Sequence, residues 1–174
     1  PGDSNIIIQT ARFFLNTPYQ ANTLDQQGEE RLVINLRAFD CVTFIESVIA
    51  LSAIRQKKDT AFCNFAGLLQ KLRYRKGVIN GYGSRIHYFT EWLQQAEYLN
   101  FLNDITVELG GVPDTAAINF MTQNREKYPF LQPDSIFQKV RDAEKRINAT
   151  QRFYIPEEEI NESLIREGDL IAFA

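Results

Sequence analysis

Cysteine and histidine are scarce in this sequence, which has two cysteines, Cys41 and Cys63, and a single histidine, His87, in 174 residues. Two cysteines are too few for a disulfide framework or for a zinc site built from cysteines. A single histidine excludes a multi-histidine metal centre within the chain. We therefore predict that the protein uses no metal and no cofactor.

The sequence also lacks an excess of positive charge and any long apolar run. Its net charge is −3 at pH 7, whereas nucleic-acid-binding domains usually carry a basic surface, so no nucleic-acid partner is predicted. No apolar stretch approaches the roughly 20 residues of a transmembrane helix. The composition, with 44% apolar and 24% charged residues, is typical of a globular protein, and the length predicts one domain over residues 1–174. The oligomeric state does not follow from these numbers. Because the chain begins at Pro1, the lack of a signal peptide says nothing about the compartment.

Residues 36–51 contain the first candidate catalytic residue. Apolar residues recur at helical spacing after Asp40, and Asp is a favoured N-cap, so we predict a helix that begins there and carries Cys41 in its first turn. The unpaired N–H groups and the positive end of the helix dipole at that place favour the thiolate form. Cys41 is therefore a candidate nucleophile, and the alternative is a small buried cysteine that only packs. Cys63 lies near the apolar face of the next predicted helix and is interpreted as structural.

Residues 84–92 form a second candidate site, because they contain the only histidine and the only tryptophan of the chain. Arg85, His87 and Tyr88 lie within this run. Such side chains line ligand clefts, although aromatic side chains also simply pack. The preceding glycine-rich residues, 76–84, do not have the spacing of a dinucleotide- or phosphate-binding loop.

Periodicity and breaker residues predict a mainly helical chain with a few short strands. The predicted helices cover about residues 4–16, 40–51, 60–74, 90–99 and 116–127, and a further one starts near residue 133 with its apolar stripe reaching residue 147. The predicted strands cover residues 31–36, 102–109, 152–155 and 168–174. The acidic residues 157–159 indicate the first turn of a helix.

Three motifs, in this order, resemble the NlpC-type superfamily of papain-like cell-wall peptidases and amidases. They are Thr17-Pro18-Tyr19, then Asp40-Cys41 at a helix start, then Gly168-Asp169-Leu170-Ile171 with Phe173 as a strand. Residues 33–37, 82–89 and 109–113 are similar to one branch of that superfamily, the N-acetylmuramoyl-L-alanine amidases of the bacterial envelope.

The resemblance implies an α+β, papain-like NlpC-type fold, in which a helical half carrying the cysteine packs on a small antiparallel sheet carrying the general base. It also implies that Cys41 attacks an amide carbonyl, that Tyr19 sits beside the site and that Asp40 contacts the substrate peptide. Three further residues, in a branch-specific insertion, are implied to hold the muropeptide: Arg85, His87 and Tyr88.

One departure from the family concerns the general base. In the family it is a histidine on the strand after the Gly-Asp-Leu strand, and this chain ends at Ala174 before any such residue. Either the sequence is truncated at its C-terminus, or His87 takes the role, or the domain is inactive. We favour truncation, because a sheet does not readily end on a single core-like strand. We expect His87 to line the cleft as a substrate contact, too far from the Cys41 sulfur for a hydrogen bond.

The resemblance thus predicts a cysteine amidase of the periplasm or cell envelope that hydrolyses peptidoglycan fragments at the N-acetylmuramoyl-L-alanine bond. One alternative is a non-catalytic module that binds muropeptides, and another is a stem-peptide endopeptidase of the same superfamily. A purely structural helical protein is the least favoured interpretation, because it leaves the Asp-Cys helix start and the Arg-His-Tyr cluster unexplained. The preference for particular stem peptides or anhydro sugars is not indicated.

Overall fold

The computed structural model describes residues 4–173. Within them the chain forms six α-helices and two short strands, so the protein is mostly helical with a small antiparallel sheet, an α+β arrangement. The elements are α1 (Ser4–Phe13), α2 (Cys41–Gln56), α3 (Phe62–Arg73), α4 (Phe89–Tyr98), β1 (Val112–Asp114), α5 (Phe120–Gln123), α6 (Asp134–Ala149) and β2 (Arg152–Tyr154). None of these helices is long and apolar enough to cross a bilayer.

The main core lies where α2, α3 and α4 meet. Helix α2 is apolar nearly all round, and a helix of that kind is typically buried. Leu69 and Leu72 of α3 pack with Trp92 of α4 and Ala50 of α2, and all four are nearly inaccessible to solvent. Phe89 stacks on Trp92 with ring centroids 5.0 Å apart. This core holds the helix that begins with Cys41 against its two neighbours.

Two smaller cores flank the main one. Phe14 follows α1 and packs edge-on against Phe39, with ring centroids 5.0 Å apart, and both belong to one buried cluster with Val48 of α2. Because Phe39 lies two residues before Cys41, this cluster anchors the start of α2. The other small core gathers around α6 and contains Tyr82, Met121, Leu131 and Val140.

The sheet is a pair of three-residue strands. β1 and β2 run antiparallel, with Val112 opposite Tyr154 and Asp114 opposite Arg152. Arg152 Nε lies 3.1 Å from Asp114 Oδ2, so an ion pair reinforces one end of the sheet. Both strands belong to the C-terminal half of the chain and carry none of the predicted site residues.

Several predictions of secondary structure are confirmed. α2 begins directly after Asp40, and α4 is displaced by one residue from the predicted helix. Three residues of the predicted apolar stripe of α6, Val140, Ala143 and Ile147, are fully buried. The strand predicted for residues 152–155 is β2, and residues 157–159 form a 3-10 turn.

The strand predicted for residues 31–36 is wrong, because this segment is irregular and is not paired with any strand of the described chain. Its backbone carbonyls instead accept hydrogen bonds from side chains. The carbonyl of Val33 accepts one from the Arg73 guanidinium, and the carbonyl of Arg31 lies 2.9 Å from the Tyr74 hydroxyl. Side chains at the end of α3 thus supply the partners that a neighbouring strand would otherwise give.

The strand predicted for residues 102–109 is also wrong. The chain is irregular over residues 102–105 and then folds into turns, in which the N–H of Gly111 donates to the carbonyl of Thr106 over 2.8 Å. Gly110 has φ 91°, a left-handed value that glycine adopts without a steric penalty. The chain therefore bonds to itself locally rather than to another strand.

The strand predicted for residues 168–174 does not form in its described part. The segment opens with a turn, in which the N–H of Arg166 donates to the carboxylate of Asp169 over 2.6 Å. Leu170 packs on the main core, whereas Phe173 is 90% exposed. Ala174, which ends the predicted strand, lies outside the described residues.

Two predicted helices have different limits in the structure. Both backbone polar groups of Ile118 bond the side-chain amide of Asn148 in α6, so that part of the predicted 116–127 helix is irregular and only the short α5 forms. The helix predicted to start at Thr60 starts at Phe62, because the Asp59 carboxylate bonds the chain just before it. Cys63 in this helix is exposed, so the prediction that it packs is wrong.

Candidate functional site

Cys41 is the first residue of α2, and its side chain is exposed. Asp40 is the N-cap: its carboxylate accepts the N–H of Thr43 at 2.8 Å, and its own N–H donates to the Thr43 hydroxyl oxygen at 2.9 Å. This reciprocal capping box fixes the way the chain enters the helix. It confirms the predicted helix start and holds the Cys41 sulfur at the positive end of α2.

The first backbone N–H groups of α2 remain available. The N–H groups of Cys41 and Val42 have no hydrogen-bond partner within residues 4–173. Such groups at a helix start can bind negative charge. An oxygen that gains charge next to the Cys41 sulfur would meet these donors.

Tyr19 lies beside the entry to α2. The N–H of Phe39 donates to the Pro18 carbonyl at 3.1 Å, and the N–H of Gln20 donates to the Phe39 carbonyl at 2.9 Å. This parallel bridge places Tyr19 next to Phe39, two residues before Cys41. The Tyr19 side chain is 74% exposed, so a ligand near the start of α2 could reach it.

A buried ion pair joins the inward face of α2 to the end of α3. Glu46 of α2 and Arg73, the last residue of α3, are 1% and 3% exposed. Arg73 Nε and Nη2 both approach Glu46 Oε2, at 2.9 and 2.8 Å, and the guanidinium also bonds the Val33 carbonyl. Burial raises the pKa of Glu46, the Arg73 charge opposes this, and the nearby Asp40 carboxylate adds to it. The pair therefore ties the Cys41 helix to the irregular segment 31–36.

Arg85 is buried and already paired. It is 4% exposed, bonds the Asp25 carboxylate and lies 3.7 Å from Glu30 through Nε. Its guanidinium also lies over the Tyr82 ring, 4.9 Å from the centroid. The charge that sequence analysis assigns to substrate is thus neutralised by two acidic residues of the protein. A contact between Arg85 and substrate stays a prediction.

Tyr74 joins the same network. It forms a backbone bridge with Arg85, and its hydroxyl lies 2.8 Å from Glu30 Oε1 and 2.9 Å from the Arg31 carbonyl oxygen. Burial, followed by the Glu30 contact, raises the pKa of Tyr74 far above its ordinary value. The network holds residues 25–33, the segment between Tyr19 and Cys41, against the end of α3.

His87 forms its hydrogen bond and its ring contact with Tyr82. Its Nε2 lies 2.9 Å from the Tyr82 carbonyl oxygen, and its ring lies on the Tyr82 ring with centroids 4.3 Å apart. Burial and then the positive charge of Arg85 lower the pKa of His87 to about 3. The ring is therefore neutral at pH 7, and Nε2–H donates to the carbonyl. In the described part of the chain no hydrogen bond joins His87 to the Cys41 sulfur, which agrees with the predicted separation.

Tyr88 takes part in a second buried polar cluster. Its hydroxyl donates to Glu144 Oε1 at 2.7 Å and accepts the N–H of Met121 at 2.8 Å. Thr122 binds both oxygens of the same carboxylate, through its N–H at 3.1 Å and through its hydroxyl. Burial raises the pKa of Tyr88 well above its ordinary value. These bonds connect the residues after the glycine-rich loop to α6, and substrate binding by Tyr88 stays a prediction.

The structure thus brings Tyr19, Asp40 and Cys41 together and places Arg85, His87 and Tyr88 in contacts with the protein itself. Sequence analysis missed Glu46, although a charged residue in the middle of an apolar helix is a signal for a buried partner. It also missed the partners of Arg85, which lie in a polar loop that carries no such signal. No group of three or more His, Cys, Asp or Glu side chains within residues 4–173 is placed to hold a metal ion.

A family model and a solved structure both relate the chain to N-acetylmuramoyl-L-alanine amidases. The sequence model of the AmiA-like family, described as N-acetylmuramoyl-L-alanine amidase-like, matches residues 9–174. The crystal structure of an N-acetylmuramoyl-L-alanine amidase from Bacteroides uniformis is 29% identical, has a TM-score of 0.86, and the match covers 95% of this chain and 71% of that one.

Two further crystal structures share the fold. A Bacteroides fragilis protein with the provisional name xylanase is 29% identical, with a TM-score of 0.80, over 88% of this chain and 67% of that one. A Legionella pneumophila protein is 17% identical, with a TM-score of 0.60, over 88% of this chain and 56% of that one. No curated protein matches the chain significantly.

Proposed function

We propose that this chain, which belongs to the N-acetylmuramoyl-L-alanine amidase-like (AmiA-like) family, acts as a cysteine amidase on peptidoglycan fragments and supplies the nucleophile. The observation that carries the proposal is the exposed Cys41 thiol at the capped start of α2. The bond proposed for cleavage joins the lactyl carbonyl of N-acetylmuramic acid to the amine of L-alanine. The peptidoglycan substrate places the enzyme, by the same proposal, in the periplasm or cell envelope.

The reaction starts with attack of the Cys41 thiolate on the lactyl carbonyl carbon. The carbonyl oxygen gains negative charge, which the N–H groups of Cys41 and Val42 stabilise. The C–N bond then breaks, and the peptide leaves as an amine after it takes up a proton. Water hydrolyses the thioester, which releases the muramoyl carboxylate and restores the thiol.

A general base must take the thiol proton and pass it to the leaving amine. His87 does not suit this role in the observed geometry, because its ring bonds the Tyr82 carbonyl and is held neutral with a very low pKa. We therefore do not assign the role of the base to His87. A papain-like arrangement, in which a general base acts beside the start of α2, is part of the proposal.

Tyr19 and Asp40 are proposed to contact the substrate next to the thiol. The Tyr19 side chain is exposed beside the start of α2. Asp40 uses Oδ1 for the capping box, and its Oδ2 accepts no hydrogen bond from any group in residues 4–173. Its free oxygen can accept a hydrogen bond from the N–H groups of a stem peptide.

A non-catalytic module that binds muropeptides is the second candidate function. The observation that favours it is that the Cys41 sulfur has no imidazole partner among the described residues. A binding module would keep Tyr19 and Asp40 in place but would have a thiol of ordinary reactivity. The two candidates therefore differ in one property that is simple to measure.

The test compares Cys41 with Cys63 in the full-length polypeptide, because both thiols are exposed and differ in their surroundings. The Cys63→Ala variant reports on Cys41, and Cys41→Ala reports on Cys63. We expect iodoacetamide to alkylate Cys41 at least about tenfold faster at pH 7. Equal rates for the two thiols would favour the binding module.

Turnover is measured by mass spectrometry as release of N-acetylmuramic acid and free peptide from a MurNAc-peptide. Cys41→Ala should abolish this release, and the matched Cys63→Ala variant should retain it. Cleavage within the stem peptide instead would assign the enzyme to the endopeptidases of the same superfamily. Retained turnover in Cys41→Ala would exclude Cys41 as the nucleophile.

A further inference from the structure

An irregular loop, residues 20–30, starts beside the candidate site. Most of its side chains are exposed, and its backbone forms turns and bends rather than a helix or a strand. At its first end the N–H of Gln20 donates to the Phe39 carbonyl at 2.9 Å, as part of the bridge that places Tyr19 next to Phe39. The loop therefore leaves the protein two residues before Cys41, from the same bridge that holds Tyr19.

Asp25 is the point where the middle of this loop is held to the rest of the protein. Of residues 21–29, only Asp25 forms a hydrogen bond or an ion pair with a described residue outside segment 19–39, and its partner is Arg85. The Arg85 side chain is 4% exposed and the Asp25 side chain is 40% exposed. Glu30, at the far end of the loop, lies 3.7 Å from Arg85 Nε. Arg85 thus binds the loop at its middle and at its end.

Arg85 is a rigid support for the loop. Its backbone forms a bridge with Tyr74, directly after α3, and its guanidinium lies over the Tyr82 ring, 4.9 Å from the centroid. A buried charge does not readily move away from its partners, because a charge that is buried without a partner is costly. The loop therefore takes its position from Arg85, rather than Arg85 from the loop.

We propose that Asp25 is a positioning residue for muropeptide binding, because its pair with Arg85 holds the loop in the place that keeps Tyr19 ready beside the Cys41 thiol. The inference rests on the proposed function, in which Tyr19 contacts the substrate. Without the pair, residues 21–29 are free to take many positions, and a ligand that binds Tyr19 must also order them. That ordering costs affinity. Neither Asp25 nor Arg85 touches the substrate in this arrangement.

The direction of the effect separates this role from a direct contact between Arg85 and the substrate. Asp25→Ala removes a carboxylate that competes for the Arg85 charge, so a substrate carboxylate bound by Arg85 should then bind at least as tightly as before. Loss of a loop anchor should instead weaken binding, by about fivefold. Because the Asp25 side chain is 40% exposed, the variant leaves no fully buried gap and should fold.

The first experiment is calorimetric titration of MurNAc-L-Ala-D-Glu into the full-length Cys41→Ala protein, which measures binding without turnover. Adding Asp25→Ala should raise the Kd about fivefold, and adding Asp25→Glu, which keeps the charge, should raise it less. The matched control is Asp114→Ala, which breaks a pair of similar exposure in the sheet, with Arg152 at 9% and Asp114 at 30%, and should leave the Kd unchanged. Unchanged or tighter binding in Asp25→Ala, an equal loss in Asp114→Ala, or no saturation by about 5 mM ligand would each overturn the proposal.

A double-mutant cycle tests whether Asp25 acts through Tyr19. In the Cys41→Ala protein, Tyr19→Ala should weaken binding, and Asp25→Ala added to it should have less than about a twofold further effect, because no Tyr19 ring remains to be placed. Losses that add in full would overturn the proposal.

Alkylation of Cys41 by iodoacetamide shows whether the start of α2 is disturbed. In the Cys63→Ala protein, adding Asp25→Ala should leave the alkylation rate unchanged, and a slower rate would overturn the assigned role. These measurements also keep the two proposals apart. A protein that binds the ligand but does not cleave it would refute the amidase function, and the Kd values would still decide the role of Asp25.

Discussion

Removal of one partner from the buried Glu46–Arg73 pair should destabilise the protein strongly. Arg73→Met leaves the Glu46 carboxylate without its two donors, at 2.9 and 2.8 Å, in a place that is 1% exposed. Breaking a buried ion pair in this way costs about 3–5 kcal/mol of unfolding free energy. The Val33 carbonyl also loses its partner, which adds about 1 kcal/mol.

The double variant separates the ion pair from simple packing. Glu46→Met/Arg73→Met removes both charges and keeps two long unbranched side chains. We expect it to be within about 2 kcal/mol of the unmodified protein, and more stable than either single variant, because no uncompensated charge is left. The measurement is urea unfolding with an unchanged m-value.

The pH dependence gives a second signature of the same pair. Burial raises the pKa of Glu46 above its ordinary value, and loss of Arg73 removes the charge that opposes this rise. A raised carboxyl pKa means that the folded state binds the proton more tightly than the unfolded state. The stability of Arg73→Met relative to the unmodified protein should therefore recover as the pH falls from 7 toward 4.5.

The exposed pair Lys145–Asp142, 3.7 Å apart, is the matched control. Lys145→Met should cost no more than about 0.5 kcal/mol, because exposed ion pairs contribute little. An Arg73→Met variant that costs as little as Lys145→Met, or that shows no recovery at low pH, would refute this account of the buried pair.

Three further predictions concern the other predicted site residues. Arg85→Ala should cost about 1–3 kcal/mol of stability, measured by urea unfolding, because it leaves the nearly buried Glu30 and the partly exposed Asp25 without their cation; a raised KM without loss of stability would instead identify a substrate contact. The His87 ring should not titrate between pH 5 and 8 by NMR, and its depressed pKa should make stability fall as the pH drops below 6.5; a ring that titrates near 6.5 would contradict the observed burial. Tyr88→Phe should cost about 1–3 kcal/mol, because Glu144 loses a donor; an unchanged urea midpoint would show that the hydroxyl is not needed there.

Local signals in the sequence are enough to predict some elements. The start of α2 follows from one capping residue before an apolar run, and both stabilising bonds of the capping box lie within four residues. α6 follows from its apolar spacing, since the residues that its periodicity selects are the buried ones. The place of Cys41 in the first turn of that helix, at the centre of the candidate site, is predictable for the same reason, whereas its exposure is not.

The errors arise where distant residues decide the local structure. Residues 31–36 have the composition of a strand, but two of their carbonyls accept hydrogen bonds from distant side chains. The Arg73 guanidinium binds the Val33 carbonyl, 40 positions earlier, and the Tyr74 hydroxyl binds the Arg31 carbonyl, 43 positions earlier. Arg85 has the chemistry of a substrate contact, but it meets Asp25, 60 positions earlier, only after folding. No periodicity or spacing in the sequence indicates such pairings, because they depend on how the helices pack.

The polar contacts of α2 explain how an apolar helix presents its first residue in a defined place. Thr43 and Glu46 are buried, whereas the apolar residues Val42, Ile45 and Ile49 are only partly so. Apolar packing alone is non-directional and would let such a helix rotate to hide its larger side chains. The capping box at Asp40 and the ion pair to Arg73 require one rotation of the helix, since a buried carboxylate without its partner is costly. That rotation leaves Cys41 exposed beside Tyr19, so the position of the candidate nucleophile is set by buried polar bonds as much as by the core.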